Sequence, residues 1–337
     1  MTQFPCIAFV TGGYSGEAQI SYKSAETISR HLDTSLFRVY KIDITPTGWF
    51  YISPAGDKTA VDRNDFSVTT EGSTIRFDAV FIGIHGSPGE DGKLQGYFDM
   101  MGIPYTTCDA AVSALTFNKR YTVAVAAFSG ISVARSVILF RDRYRGVEEV
   151  TGPLSFPVFV KPNNGGSSIG MSRVNDKSGD IAGAIEKAFR EDSQVLVEEF
   201  IAGREFTIGV FRSKGEIITL PFTEIKTKKA FFDFEAKYTA GFTDEITPAI
   251  VEESIAEKVR AAARKVYGVF NCRGVVRIDF IYNEEKAEPF LLEINTVPGQ
   301  TSASLVPQQV AAMGWQLKDF YTALIREALE QSPAAVS

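Results

Sequence analysis

Two short segments, GVVRIDFIY at 274–282 and PFLLEINT at 289–296, place Arg277, Asp279, Glu293 and Asn295 at alternate positions of what read as two extended strands. Side chains alternate across a strand, so Arg277 shares a face with Asp279, and Glu293 shares one with Asn295. Val276, Ile278, Leu292 and Ile294 are then expected to point into the core. Two carboxylates and an amide oxygen on neighbouring strands make a hard-oxygen set suited to Mg2+, which takes few protein ligands and completes its octahedron with phosphate and water. A solvated sheet face with surface ion pairs would use the same residue types.

Three further segments carry reactive side chains. In FPVFVKPNNGGSSIG (156–170) an apolar strand delivers Lys161 into a loop of small residues, where backbone N–H groups and an ammonium could cradle phosphate. It lacks the GxxxxGK[ST] spacing of a Walker loop, and an ordinary hairpin turn is the competing reading. HGSPGEDGKLQGYFDMMGIPY (85–105) puts His85 at the C-terminal end of a strand, with Glu90 and Asp91 before a helix that either carboxylate could cap. FFDFEAKY (231–238) lies in a segment poor in periodicity, as lids often are, and could bring Lys237 over a phosphate or simply pack its own aromatic rings.

These residues need a large scaffold, and 337 residues with 45% hydrophobic composition provide two or three domains' worth of core. No apolar run approaches the roughly 20 residues of a membrane span, and MTQFPCIAFVTGG has neither the basic leader nor the cleavage site of a secretory signal, so the cytoplasm is the expected location. Cys6, Cys108 and Cys272 fit neither a disulfide framework nor a CxxC metal site and read as reduced packing residues. A net charge of −6 argues against nucleic-acid binding, and two histidines, His31 and His85, exclude a histidine-rich metal site.

A strand at 6–11, a glycine turn and a helix carrying Ile20, Ala25, Ile28 and Leu32 open the chain as a β–turn–α unit. Extended stretches at 37–44 and 79–84 and a helix at 94–101 complete an open α/β sheet over 1–115. Residues 116–198 read as a small α+β lobe with strands at 131–139, 156–160 and 195–199 and a helix at 181–191. Residues 199–337 alternate strands (205–211, 216–222), a Lys-rich insertion, a helix at 252–267, the two chemistry-bearing strands and a C-terminal helix at 317–329.

In order along nearly the whole chain, GGYSGEAQIS, HGSPGEDGKLQG with GIPYTT, Lys119 in ALTFNK, VKPNNGGSSIG, VLVEEFIAGREFT, FDFEAKY, VVRIDF and LLEINTVPGQTSASLVP resemble the D-alanine:D-alanine ligases of the ATP-grasp superfamily. The resemblance implies a Rossmann-like N-terminal domain followed by two α+β lobes that grip ATP, and an enzyme that joins two D-alanines through a D-alanyl phosphate for peptidoglycan synthesis. By the same resemblance Lys119 and Lys161 contact phosphate, Glu198, Glu199, Phe200 and Ile201 form the adenine hinge, and Glu205 binds ribose. Asp279, Glu293 and Asn295 hold two Mg2+, with Mn2+ a possible substitute. Glu17, with Ser167 and Tyr238, receives the first ammonium group, and His85 lies beside it. Ser304 and Leu305 bind the second carboxylate, Arg277 and the Gly299 amide stabilise the oxyanion, and Lys237 reaches the γ-phosphate. A homodimer is implied. Asn118, Gln300 and Ala303 depart from residues common in the family, and the last two flank the acceptor pocket, leaving D-serine or D-lactate open as acceptors. A different amino-acid ligase, or a nucleotide-binding regulator without turnover, is the alternative.

Overall fold

The computed structural model describes residues 4–166, 169–227 and 243–330. Strand β1 (Cys6–Gly12) is buried along its whole length and lies parallel between β2 (Arg38–Thr45) and β7 (Ala79–Ile82), with α1 (Ala18–His31) packed on it. This is the expected open α/β sheet. Unexpected is an antiparallel meander, β3 (Gly48–Ile52), β4 (Lys58–Asp62), β5 (Ser67–Thr70) and β6 (Ser73–Ile75), which extends the sheet to the order β6-β5-β4-β3-β2-β1-β7. Its strands are short, and β3 is half-buried throughout, so neither a two-residue period nor a continuous apolar run marks it in the sequence.

Helices α2 (Lys93–Met101), α3 (Ala110–Phe117) and α4 (Lys119–Phe128) lead to a second, antiparallel sheet. It has the order β10-β9-β11-β8, built from β8 (Ser136–Phe140), β9 (Val158–Pro162), β10 (Ser172–Val174) and β11 (Gln194–Glu199), with the short α5 (Glu148–Thr151) between β8 and β9. The sheet is covered by α6 (Ile181–Glu191), which buries Ile181, Ala184, Ile185, Ala188 and Phe189, the spacing of one helix face. Asp180 starts this helix by accepting from Gly183 N at 2.8 Å. The strand expected at 131–139 begins only at Ser136; upstream, Val133 makes an isolated parallel bridge to Leu291.

The third sheet holds β12 (Arg204–Ser213), β13 (Glu216–Thr219), β14 (Thr223–Thr227), β15 (Thr243–Ile246), β16 (Val276–Asn283) and β17 (Glu288–Asn295). Its order is β15-β14-β12-β16-β17, with β13 also pairing β12. Helix α7 (Glu253–Val269) packs its Val259, Ala263, Val266 and Tyr267 into the core under this sheet, and that core also takes Val112 and Ala126 from α3 and α4. Helices α8 (Leu305–Ala312) and α9 (Leu317–Glu330) join a different core, in which Phe320, Tyr321 and Leu324 meet Ile7, Phe9, Ile28 and Phe81 of the first layer. The C-terminal helix thus packs the third sheet onto the first.

One strand departs from simple alternation. The β16·β17 register slips between Asp279 and Phe280, so that Asp279 faces Glu293 but Phe280 faces Leu291. The extra residue of this bulge puts Leu291 in the core and leaves Leu292, the expected core residue, half-buried.

Candidate active site

Across β16 and β17, Arg277 pairs with Asn295 and Asp279 with Glu293, which places all four side chains on one face in a compact square. Arg277 clamps Asp279 with both ends of its fork, Nε donating to Oδ1 at 3.0 Å and Nη2 to Oδ2 at 2.9 Å. From the other side, Thr207 on β12 donates its hydroxyl to Asp279 Oδ1. Burial opposes the charge of Arg277, but Asp279, Glu293 and Glu90 around it outweigh burial and raise its pKa. Among the described residues no group of three His, Cys, Asp or Glu side chains could hold a metal ion. The expected set is two carboxylates and an amide, and such a set suits a divalent ion whose remaining ligands come from phosphate and water.

Facing this square is the end of the first sheet. Glu17 occupies the N-cap position of α1, and its carboxylate lies between two glycine loops. A methyl group on Gly86, whose φ is +68°, would stand 2.5 Å from Glu17 Oε2, and one on Gly166 would stand 2.9 Å from Oε1. The positive φ of Gly86 favours glycine there, and neither glycine puts a side chain between its loop and the carboxylate. Glu90 caps no helix: its Oε2 accepts from Gly86 N at 2.6 Å, while Gly92, without a side chain, holds the N-cap of α2. Asp91 pairs with the Lys93 ammonium and its Oδ1 also accepts from Lys93 N, the first N–H of α2, at 3.4 Å, so of the two carboxylates it is Asp91 that meets the helix start. Burial, then the neighbouring Glu17 carboxylate, push the Glu90 carboxyl up to about 8, although Arg277 and the Gly86 amide pull the other way.

His85 is buried and serves the loop that follows β17. Its Nδ1 lies 2.8 Å from Val297 O, and a carbonyl can only accept, so Nδ1 carries the hydrogen. Nε2 then accepts from the Ser24 hydroxyl at 2.9 Å, and Ser24 Oγ in turn accepts from Gln300 N at 3.2 Å. Burial holds the ring neutral, with its pKa down at about 4. The loop is gripped on both sides of Gly299, which aims the Gly299 amide. Ser304, expected at the second substrate, is the N-cap of α8, and Leu305 is its first residue. The Ser304 hydroxyl accepts from Thr301 N at 3.0 Å, and a methyl group at Gly299 would meet it at 2.9 Å.

Among the residues expected to meet the nucleotide, Lys161 on β9 pairs with Glu198 on the adjacent strand β11, both nearly buried. Lys119, at the start of α4, donates to Gly165 O at 2.6 Å, and Asn163 O accepts from Lys119 N at 3.1 Å, which binds that helix to the glycine loop. Glu199 Oε1 accepts from Ser155 N at 2.7 Å, and Phe200 N donates to Pro157 O at 2.9 Å. The Phe200 ring lies 6.1 Å from that of Phe159, with the Arg173 guanidinium 4.6 Å from its centroid. Ile201 follows at the strand's exit, and Glu205 lies on β12, two residues before Thr207 on the same face.

Ser167, Lys237 and Tyr238 lie outside the described residues. Gln300, expected to flank the acceptor pocket, turns its side chain away: Nε2 donates to Pro298 O at 3.1 Å and Oε1 accepts from Tyr321 OH of α9 at 3.0 Å. The sequence reading missed Ser24 and Thr207. Ser24 carries no local signal, whereas Thr207 shares a face with Glu205 and could have been found by alternation. An open surface depression of about 600 Å3, lined by Trp49, Val61, Asp62, Arg63, Asn64 and Tyr97, shares no residue with this cleft.

Residues 6–108 match the family described as D-ala D-ala ligase N-terminus, and residues 119–326 match D-ala D-ala ligase C-terminus. A D-alanine–D-alanine ligase of Parabacteroides distasonis is 44% identical over 324 residues, which cover 96% of this chain and 97% of the relative. The solved D-Ala:D-Ser ligase VanG of Enterococcus faecalis superposes with a TM-score of 0.87 at 31% identity, over 97% of this chain and all of that one. A D-alanine–D-alanine ligase of Bacillus anthracis solved with ATP superposes with a TM-score of 0.76 at 26% identity, over 97% and 98% of the two chains. With two family matches spanning nearly the whole chain, the fold is the ATP-grasp arrangement expected from the sequence, and the protein belongs to the D-alanine–D-alanine ligase family.

Proposed function

We propose that this enzyme joins two D-alanine molecules to D-alanyl-D-alanine at the expense of ATP, through a D-alanyl phosphate, supplying a precursor of peptidoglycan. The observation that carries the reading is the square of Arg277, Asp279, Glu293 and Asn295, set across the cleft from the Glu17 carboxylate, with Glu90 within electrostatic reach of Glu17, Glu293 and Arg277. Metal-binding and ammonium-binding groups then face one reaction volume.

A carboxylate is a poor electrophile and must be activated. The first D-alanine lays its ammonium against Glu17, and one of its carboxylate oxygens attacks the γ-phosphorus while the bond to the β-phosphate oxygen breaks, releasing ADP. Lys119 and Lys161 leave their present partners, Gly165 O and Glu198, to offset the phosphate charge. Asp279, Glu293 and Asn295 would hold two Mg2+ ions (Mn2+ as substitute), which would supply positive charge against that of the phosphates. The second D-alanine presents its carboxylate to Ser304 and Leu305 at the start of α8, where unpaired helix N–H groups favour an anion. Its neutral amine adds to the acyl carbonyl, the oxyanion meets Arg277 and the Gly299 amide, and collapse breaks the carbon–oxygen bond to phosphate, which departs as the nitrogen releases its extra proton. Glu198 to Ile201 hold adenine and Glu205 the ribose, while Ser167, Tyr238 and Lys237 complete the ammonium network and the γ-phosphate contact.

The three sheets support a division into domains at 1–115, 116–198 and 199–337, with α3 and α4 sharing the core of the last. No helix among the described residues is long and apolar enough to cross a membrane, and we assign the enzyme, as a homodimer, to the bacterial cytoplasm. The test is phosphate release from MgATP with D-alanine alone and with D-serine or D-lactate beside it, the products read by mass. Release with D-alanine alone, yielding the dipeptide, is expected. Release only with another acceptor would move specificity to the pocket around Ala303, and nucleotide binding without turnover would favour a regulatory protein.

A further inference from the structure

Gln309 takes no part in the chemistry above, yet its side chain is fully buried and hydrogen-bonded at both ends of its amide. Oε1 accepts from Gly209 N at 2.8 Å, and Nε2 donates to Thr207 O and to Thr223 Oγ1, each at 3.0 Å. Strand β12 pairs with β14 as far as Thr207 and with β13 from Val210 onward, so the glutamine amide fills the gap where β12 changes partners. Gly209 admits it closely: a methyl group there would stand 2.9 Å from Gln309 Oε1.

The two residues held this way occupy a particular register. Across the ladder from Thr207 is Asp279, which also takes the Thr207 hydroxyl, and across from Gly209 is Arg277. Gln309 itself sits on α8, one turn after Leu305, in the helix whose start carries Ser304. A single side chain therefore joins the helix assigned to the second substrate and the strand that positions Arg277 and Asp279.

We propose that Gln309 is a positioning residue that couples α8 to the β12–β16 ladder, so that second-substrate binding and metal-nucleotide binding strengthen each other through it. The inference rests on the functional reading above. A link of this kind is reciprocal and appears as a ratio of dissociation constants. The experiment is calorimetric titration of the full chain with MgADP, with and without saturating D-alanine. In the wild type D-alanine should tighten MgADP binding about fivefold or more. Gln309→Met, of similar volume but without donor or acceptor at the amide, should fold and bind MgADP alone, yet lose this ratio. Thr207→Val, which removes only the hydroxyl on Asp279, should lower it too. Ile185→Val, a core-trimming variant on α6 where that helix covers the second sheet, should keep the wild-type ratio even though its melting temperature falls.

A wild-type ratio in Gln309→Met, or its loss in Ile185→Val, would overturn the coupling and leave a merely structural glutamine. Should Gln309→Met fail to fold, an unchanged ratio in Thr207→Val overturns it equally. A wild-type chain that binds MgADP without responding to D-alanine refutes the coupling alone. One that does not bind MgADP refutes the functional reading as well.

Discussion

The β16–β17 strand pair and the loop from Val297 to Gln300 reach the same cleft by different means. In the strand pair, Arg277, Asp279, Glu293 and Asn295 are placed by ladder hydrogen bonds between neighbours in one hairpin, and the clamp of Arg277 on Asp279 spans two residues. The loop has no ladder. Its Gly299 amide is aimed by His85 and Ser24, both from the N-terminal layer and more than two hundred residues away in sequence. The half of the site proposed to hold metal is thus locally determined, and the half proposed to meet the oxyanion depends on how two layers dock.

The strand pair should fail completely when its chemistry is changed. Glu293→Gln keeps shape but removes an anionic ligand, and kcat/KM should fall by about a thousandfold or more with circular dichroism and melting temperature little altered. Undiminished turnover would remove the strand pair from the chemistry. Arg277→Lys retains the charge but loses the fork on Asp279, so steady-state kinetics should show kcat lower by about 100- to 1,000-fold. A change confined to the KM for ATP would argue that Arg277 binds nucleotide and no oxyanion.

The loop should yield a graded response. Ser24→Ala takes the acceptor from Gln300 N and the donor from His85 in one step, leaving buried polar groups unpaired at a cost of about 1–3 kcal/mol in chemical denaturation. A misaimed Gly299 amide should lower kcat about tenfold while the KM for ATP holds. If kcat is unchanged, the loop holds its own shape and the contrast between the two regions disappears.

The smallest effect is on pH dependence. His85, with an ordinary value of 6.5, is depressed to about 4 in the folded chain. Between these values the unfolded chain binds the extra proton, so the stabilising share of His85 is full above 6.5 and is lost as pH falls toward 4. Glu90, raised to about 8 from 4.5, has the opposite sign: its share is present below 4.5 and is lost as pH rises through 8. Melting curves of the wild type and His85→Gln should therefore converge as pH falls from 6.5 to 4, and parallel curves would mean that His85 titrates normally.

Much of this was legible beforehand because it is local. Alternation in GVVRIDFIY and LLEINT was enough to put the reactive side chains of each strand on one face, and the helix expected at 181–191 has those bounds in the structure. Even there, the bulge exchanged Leu291 for Leu292 in the core, since an extra residue in a strand has no compositional mark. The β3–β6 meander escaped notice for a related reason: short, half-exposed strands bury too little on either face to impose a period.

Residue types and their order along the chain determined the family and pointed to the residues expected to hold metal and meet phosphate, because those depend on neighbours a few bonds away. Only the tertiary structure decided that His85 grips Val297 instead of offering a free ring, that Gln300 turns to Tyr321, that Glu90 holds the Gly86 amide instead of capping α2, and that Gln309 mends a gap in β12. Each of those depends on which distant buried donor finds which acceptor. Packing settles that match, since a buried polar group must pair with whatever the fold brings to it.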